Sequence, residues 1–299
     1  MNAQMPITRE VATAPYLVIS RIGANSLHRS WLPQDGAFDV LLSCYDQAVP
    51  PECGHGTMFE YRAGAKVAGY GQVLRDYEGL IRQYRYVALF DDDLAIDATS
   101  MAQLFRIADA QGLKIAQPAL DHKSYFTYAC LLQHKGFTLR HVNFIEMMCP
   151  FFRSDVLLDV AFLFELGFES GIDLIWSALA HEAPQDFAVI DSVPVRHTRP
   201  VGAIKSVNGF TGDRIYETDI RAILEQFDLP WLPALPYGGL RGNGSYTRNR
   251  LALCFGASRL AAAIPIRSAR FRMRAVATYW RQLTFRRPRN VRARWPANL

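Results

Sequence analysis

Acidic residues are missing from the C-terminal end of the chain. Beyond Leu240 there is no Asp, no Glu and no Lys, and all the charge comes from 14 arginines between Arg241 and Arg294. The formal charge of +5 therefore describes neither part of the molecule. Residues 1–240 hold 19 of the 33 basic residues against all 28 acidic ones, a net of −9. Cysteine is sparse as well. Cys44, Cys53, Cys130, Cys149 and Cys254 are odd in number, scattered, and form no C-x-x-C pair. That excludes a disulfide framework or zinc ribbon and suits a reducing compartment. Met1 to Ala14 lacks the apolar core of a signal peptide. No uncharged apolar run reaches the roughly 18 residues of a spanning helix. The expectation is a soluble, cytoplasmic body, one large domain with an appendage.

What is present alternates between strand and helix. Tyr16 to Ser20 and Phe38 to Cys44 are apolar runs bounded by turn residues, and Phe59 to Arg62 reads as a third, short strand. From Val67 to Tyr84 apolar residues recur at helical spacing. Tyr86 to Phe90 fits a buried parallel strand. Asp97 or Ser100 caps a helix ending near Gly112, and Ile115 to Pro118 is the next strand. Tyr125 to Leu132 and Phe137 to Phe144 read as strands, Ser154 to Leu166 and Ser170 to His181 as helices, and Phe187 to Ile190 as a late strand. The pattern predicts an α/β fold with a mostly parallel sheet flanked by helices. Pro230 to Gly239, rich in Pro and Gly, reads as the end of the folded body, which gives domains at 12–237 and 238–299.

Chemistry concentrates at Asp91-Asp92-Asp93, directly after the Tyr86 to Phe90 strand. Three adjacent carboxylates repel one another unless a cation neutralises them. Oxygen clusters of this kind suit Mn²⁺ or Mg²⁺, which also take phosphate oxygens. Ligands in open α/β sheets sit beyond the carboxyl ends of the strands, where this triplet falls. The plain alternative is a turn in which Asp93 caps something downstream.

An apolar strand running into D-x-D resembles the metal and nucleotide-sugar motif of GT-A glycosyltransferases. More narrowly, the chain resembles the family catalogued as domain of unknown function 707, also labelled lysine-ketoglutarate reductase trans-splicing related. The resemblance lies in Phe90-Asp-Asp-Asp-Leu94, Leu113-Lys-Ile-Ala-Gln-Pro-Ala-Leu-Asp121, Phe144-Ile-Glu-Met-Met-Cys-Pro150, Gly171-Ile-Asp173 and Val189-Ile-Asp-Ser-Val-Pro-Val-Arg-His197. It implies a GT-A-like fold and transfer of a sugar from a nucleotide-diphosphate sugar to an acceptor hydroxyl, with inversion favoured. By the same resemblance Asp93 ligates the metal, and Asp91 is a second metal ligand or lies near the ribose or the metal's waters. The resemblance also implies that Asp92 belongs with Asp91 to the nucleotide site and that His197 supplies a further metal ligand, a structural or solvated histidine being the plain alternative. Asp92 stands where many relatives have Glu, which keeps the charge.

Asp173 begins a helix, where inverting GT-A enzymes often place the base that takes the acceptor proton. Ser170 and Asp173 also spell an S-x-x-D capping box that needs no catalysis. Glu146 lies in an apolar stretch, where a carboxylate needs a partner or a task. It serves either as the base or acceptor holder, or as half of a buried salt bridge to an Arg. Ser20 and Arg21 close the first strand, where GT-A folds bind the nucleotide. Lys66 can reach a phosphate or simply meet solvent. Arg196, Arg199 and Lys205 are candidates to neutralise a leaving diphosphate.

The tail mixes arginine with Leu251, Phe255, Phe271, Met273, Trp280 and Phe285. Cationic amphipathic helices with aromatics bind anionic membrane surfaces, which predicts a protein peripheral on the inner face of the membrane. A solvated basic tail is the simpler reading. No nucleic-acid module is present, and the body is acidic. Two rival functions remain: a magnesium-dependent phosphatase or phosphotransferase, and a non-catalytic GT-A-like binding module. The acceptor class, whether glycan, lipid or small molecule, stays open.

Overall fold

The computed structural model describes residues 12–200, except 34, 53 and 55, and residues 215–291, except 264–267 and 290; for 257–263 it describes the backbone alone. Apolar runs become strands as expected. β1 (Tyr16–Ile22), β2 (Asp39–Cys44) and β3 (Thr57–Tyr61) lie parallel, with Ile19 beside Leu41 and Leu41 beside Met58. Helices α1 (Lys66–Asp76) and α2 (Glu78–Ile81) carry the chain back to β4 (Tyr86–Leu89), which pairs parallel with the free side of β1. After the acidic triplet come the two-residue β5 (Leu94–Ala95) and α3 (Ala98–Ala110). Asp97 caps α3 as expected, its carboxylate accepting from the Ser100 amide at 2.7 Å.

The second half makes the sheet mixed. β6 (Ile115–Leu120), β7 (Leu139–Val142) and β8 (Phe151–Arg153) follow, and β8 slots antiparallel between β4 and β6. Then come α4 (Ser154–Val160), α5 (Ile172–Ala180), β9 (Phe187–His197) and α6 (Tyr216–Gln226). β9 runs parallel to β6 and antiparallel to β7. Last are β10 (Pro236–Leu240), β11 (Tyr246–Thr247), α7 (Arg250–Ala263) and α8 (Ala269–Phe285). The strand order is β11-β10-β7-β9-β6-β8-β4-β1-β2-β3, with β5 pairing to the end of β9.

Strand alternation splits the apolar residues between two cores, one on each face. Leu17, Ile19, Val87 and Leu89 join α1, α4 and α5 on one side. Val18, Ile22, Ala88 and Phe90 join α3, Trp31 and Phe38 on the other. No helix among the described residues is long and apolar enough to cross a membrane.

Several expectations need correction. The helix read from Val67 to Tyr84 breaks at Tyr77 (φ −112°, ψ 19°), whose hydroxyl donates to Glu60 at 3.0 Å. Tyr125 to Leu132 is not a strand. Phe126, Cys130, Leu131 and Leu132 are buried, but they sit in an irregular segment packed partly beneath α8. The expected boundary between 237 and 238 falls inside β10, which pairs with β7. Beyond it, Tyr279 and Leu283 of α8 enter the same core as Leu17 and Trp176. Each such buried side chain contributes about 1.5–3 kcal/mol, so α8 is held to the body by packing.

Candidate active site

The C-terminal ends of β1 and β4 lie side by side, and the chain leaves β4 straight into Asp91-Asp92-Asp93. Beyond them lies a cleft of about 290 Å³ whose lining includes all three aspartates, Arg21, Lys66, Glu146, Asp173, His197 and Arg199. Of the residues proposed from the sequence for the site and described in the structure, Ser20 and Arg196 lie outside the lining. Ser20 is fully buried and its hydroxyl donates to the Phe90 carbonyl at 2.6 Å. It fixes the base of the acidic loop and offers nothing to a ligand.

The three aspartates have three different partners. Asp91 is ion-paired with Lys66, whose Nζ lies 2.6 Å from Oδ1. Burial and the neighbouring Asp93 push the Asp91 carboxyl up to about 6, with Lys66 opposing. Burial alone would depress the Lys66 ammonium, but Asp91 outweighs it and the net shift is upward. As a metal ligand, then, Asp91 is not free: its charge is already met by Lys66. Asp92 is held by the Gly23 amide (3.1 Å), the Tyr45 hydroxyl (3.3 Å) and Arg199 (3.1 Å). It ties the loop to the end of β1, and burial raises its carboxyl despite Arg199.

Asp93 faces His197, with Oδ2 3.2 Å from Nε2. Their meeting depends on β5, since Leu94 pairs directly with His197 across the β5–β9 ladder. His197 Nδ1 lies 3.0 Å from the Tyr125 carbonyl, which can only accept. Nδ1 therefore carries a proton and Nε2 is the nitrogen turned toward Asp93. Burial raises Asp93 and lowers His197, yet the contact between them wins and the net shifts are opposite, Asp93 down and His197 up. Asp93 Oδ1 is buried without a hydrogen-bond partner.

An imidazole fixed through Nδ1 by a backbone carbonyl, beside an orphaned carboxylate oxygen, is the donor set expected of a metal's protein ligands. Among the described residues there is no cluster of three or more His, Cys, Asp or Glu that would close a metal cage. Two donors suit an ion that takes its other ligands from phosphate and water, as Mg²⁺ does.

Glu146 and Asp173 share the cleft. The Asp173 carboxylate accepts from the amides of Leu174 (3.0 Å) and Met147 (3.3 Å), and burial pushes it up to about 6. The S-x-x-D capping box does not form. Gly171, at φ +89°, takes the N-cap position, and no side chain caps the helix. Glu146 forms no ion pair among the described residues, so the salt bridge to an Arg is not seen. Its amide donates to Gln117 at 2.8 Å, Oε2 is buried without a partner, and burial next to Asp173 pushes the carboxyl up to about 7.

Arg21 is buried, donating to Ser43 (3.0 Å) and to the carbonyls of Arg62 (2.8 Å) and Gly64 (2.9 Å), and its Nε has no partner. Desolvation lowers its pKa. Gly69 leaves room for it, since a Cβ there would lie 2.4 Å from the guanidinium carbon. Arg196 instead pairs with Asp121 and does not line the cleft, and Lys205 lies outside the described residues. Sequence reasoning missed Tyr45, Tyr128 and Glu169. Glu169 accepts from the amides of Val67 and Ala68 at the start of α1 (2.7 and 3.1 Å), a distant cap with no local sequence signal.

Residues 77–141 match the family described as "Protein of unknown function (DUF707)". That stretch contains the acidic triplet and the segment Leu113 to Asp121, two of the places where the sequence resembles the family. The segments around Glu146, Asp173 and His197 lie outside it. No curated protein matches the sequence. Among solved structures, the chain is similar to S. aureus TarS residues 1–349 in complex with UDP-GlcNAc, at 9% identity over 91% of this chain and 73% of that one, TM-score 0.41. It is also similar to GalNAc-T7 with UDP, GalNAc and Mn²⁺, at 11% identity over 91% of this chain and 56% of that one, TM-score 0.44.

Proposed function

We propose that the protein is a glycosyltransferase that moves a sugar from a nucleotide-diphosphate donor to an acceptor hydroxyl, with inversion. The observation that carries this reading is the content of one cleft. It joins the Asp93–His197 donor pair, with its orphaned carboxylate oxygen, to Glu146, a carboxyl pushed up to about 7 with a free Oε2. Mn²⁺ or Mg²⁺ would be held by Asp93 and His197 and would supply positive charge to the diphosphate.

The protein's own groups divide the remaining work. Glu146 Oε2 accepts the proton of the acceptor hydroxyl as that oxygen bonds the anomeric carbon and the carbon–phosphate oxygen bond breaks. Its pKa near neutrality suits a general base. Burial does most to raise that pKa and the neighbouring Asp173 charge adds to it, so we assign the base to Glu146 and the tuning role to Asp173. Of the cations lining the cleft, Lys66 and Arg199 are paired with Asp91 and Asp92. Arg21, which has no ion pair among the described residues and an unpartnered Nε, favours the departing diphosphate.

The GalNAc-T7 structure, with UDP and Mn²⁺, and the TarS complex with UDP-GlcNAc suggest a uridine nucleotide as the first probe. A thermal-shift panel of nucleoside diphosphates and nucleotide-sugars, with Mn²⁺ and with EDTA, tests the reading. A bound nucleotide at 100 times its Kd stabilises by about 2.7 kcal/mol. Stabilisation by no nucleotide, with or without metal, would refute it.

The C-terminal helices support a second element, contact with an anionic membrane from the cytoplasmic side. Among the described residues, six of the eight exposed large hydrophobics lie beyond residue 240, including Leu251, Phe255 and Met273. They lie in a region whose only charge is arginine. Sedimentation of the full-length protein with anionic but not neutral vesicles tests it.

A further inference from the structure

The active-site cleft does not end at its carboxylates. Thr127 and Tyr128 form a wall shared with a second cavity of about 270 Å³, bounded on its far side by Trp231 and α8. Trp231, Pro233 and Gln282 are in turn shared with a third cavity of about 350 Å³. The three cavities therefore adjoin one another in a row, from the cleft of Glu146 and Asp173 past an aromatic shelf of Tyr128 and Trp231 to the end of α8.

The shelf is flat and open. Tyr128 and Trp231 stack with ring centroids 6.4 Å apart and planes 26° from parallel, and Trp231 remains 51% exposed. A half-exposed tryptophan held flat by a second ring is an unused aromatic face. Polarised C–H groups of a sugar ring are attracted to such a face by its negative quadrupole. Thr278 and Gln282 beside it carry groups that pair with hydroxyls.

The third cavity is lined by Arg281, Arg286, Arg287 and Arg289. Among the described residues none of the four is ion-paired, and no acidic residue occurs in the sequence beyond residue 240. Four neighbouring cations without a counter-charge are mutually repulsive, and a bound anion relieves that repulsion.

We propose that this row of cavities is the acceptor subsite, and that the acceptor is a negatively charged saccharide whose ring stacks on Trp231 while its phosphate or carboxylate groups meet the arginines at the end of α8. The proposal rests on the glycosyltransferase reading and supplies its acceptor class. Concavity favours a saccharide chain over a bilayer, because a row of adjoining hollows beside the carboxylates fits the rings of a polymer strand better than a flat membrane surface.

The test uses labelled full-length protein on an array of neutral, carboxylated, sulfated and phosphorylated saccharides, in the presence of UDP and Mn²⁺. Wild type should bind charged members and not neutral ones. Trp231→Ala should weaken that binding at least tenfold although it changes no charge, and Trp231→Phe should restore much of it. Arg281→Gln with Arg287→Gln should weaken binding comparably. Nucleotide-induced thermal shifts in the same proteins should stay as in wild type. Failure of wild type to bind any charged saccharide overturns the proposal, as does equal binding by Trp231→Ala. Loss of anionic-vesicle sedimentation in Trp231→Ala, with saccharide binding intact, would assign the shelf to lipid and overturn it too. If charged saccharides bind as expected but no nucleotide shifts the melting of any protein, the subsite stands and the glycosyltransferase reading falls.

Discussion

Lys66 Nζ lies 2.6 Å from Asp91, while Asp93, two residues on, faces His197 at 3.2 Å. One acidic triplet thus presents an internally neutralised carboxylate and one with a buried, unpartnered oxygen. The difference predicts unequal consequences of substitution. Asp93→Ala should remove metal-dependent nucleotide binding and leave the fold intact. Asp91→Asn should weaken binding less, since the carboxylate it removes is spent on Lys66. Calorimetric titration of UDP into each variant with Mn²⁺ checks this, and equal losses would show that Asp91 is also a ligand.

The base assignment predicts that Glu146→Gln lowers turnover by at least about 10²-fold with donor binding nearly intact. Asp173→Asn should act on the pH profile instead. Without the neighbouring charge the Glu146 pKa falls, so the acidic limb of the rate profile, at about 7 in wild type, should move to lower pH. A large turnover loss in Asp173→Asn, with Glu146→Gln active, would exchange the two roles.

The same group predicts a stability change with a definite sign. The Glu146 carboxyl is raised from 4.5 to about 7, so between those values the folded state holds more protons than the unfolded one. Stability therefore falls as pH rises through that window, and the ionised carboxylate destabilises the fold above it. Glu146→Gln removes that penalty and should raise Tm at pH 8 by about 2–4 °C for each kcal/mol regained. Below pH 4.5 the advantage should vanish. A Tm gain that is constant with pH would show that it comes from packing.

How far the sequence foresaw this molecule varies by element. β1, β2, β4 and β6 are short apolar runs buried on both faces, and such runs are legible without tertiary information. β9 was legible only to Ile190, because Asp191 interrupts the run. Its charge is tolerated there by buried Arg140, which bonds it at 2.8 and 2.9 Å. The acidic triplet was legible as a site, but its division of labour was not. Lys66 reaches Asp91 from the start of α1, and His197 reaches Asp93 through a two-residue strand pairing that no local pattern announces. Ser20 was misplaced because strand alternation turns its side chain to the Phe90 carbonyl instead of the cleft. The tail read as an appendage because its arginine content hides the few residues, Tyr279 and Leu283, that enter the core.

That packing yields a further expectation. A chain ending at Gly239 cuts β10 and removes Tyr279 and Leu283, and it should lose cooperative melting or precipitate. Tyr279→Ala in the full chain should cost about 3–5 kcal/mol, by analogy with other large aromatic deletions from cores. A soluble truncated protein melting like wild type would show that α7 and α8 only rest on the body.

The central claim is metal-dependent sugar transfer, and donor turnover tests it most directly. Full-length protein incubated with a panel of nucleotide-sugars and Mn²⁺, with release of nucleoside diphosphate followed in time, should cleave at least one donor slowly in water. That release should stop with EDTA and in Asp93→Ala. No release from any donor, or release unchanged by EDTA, would contradict the account.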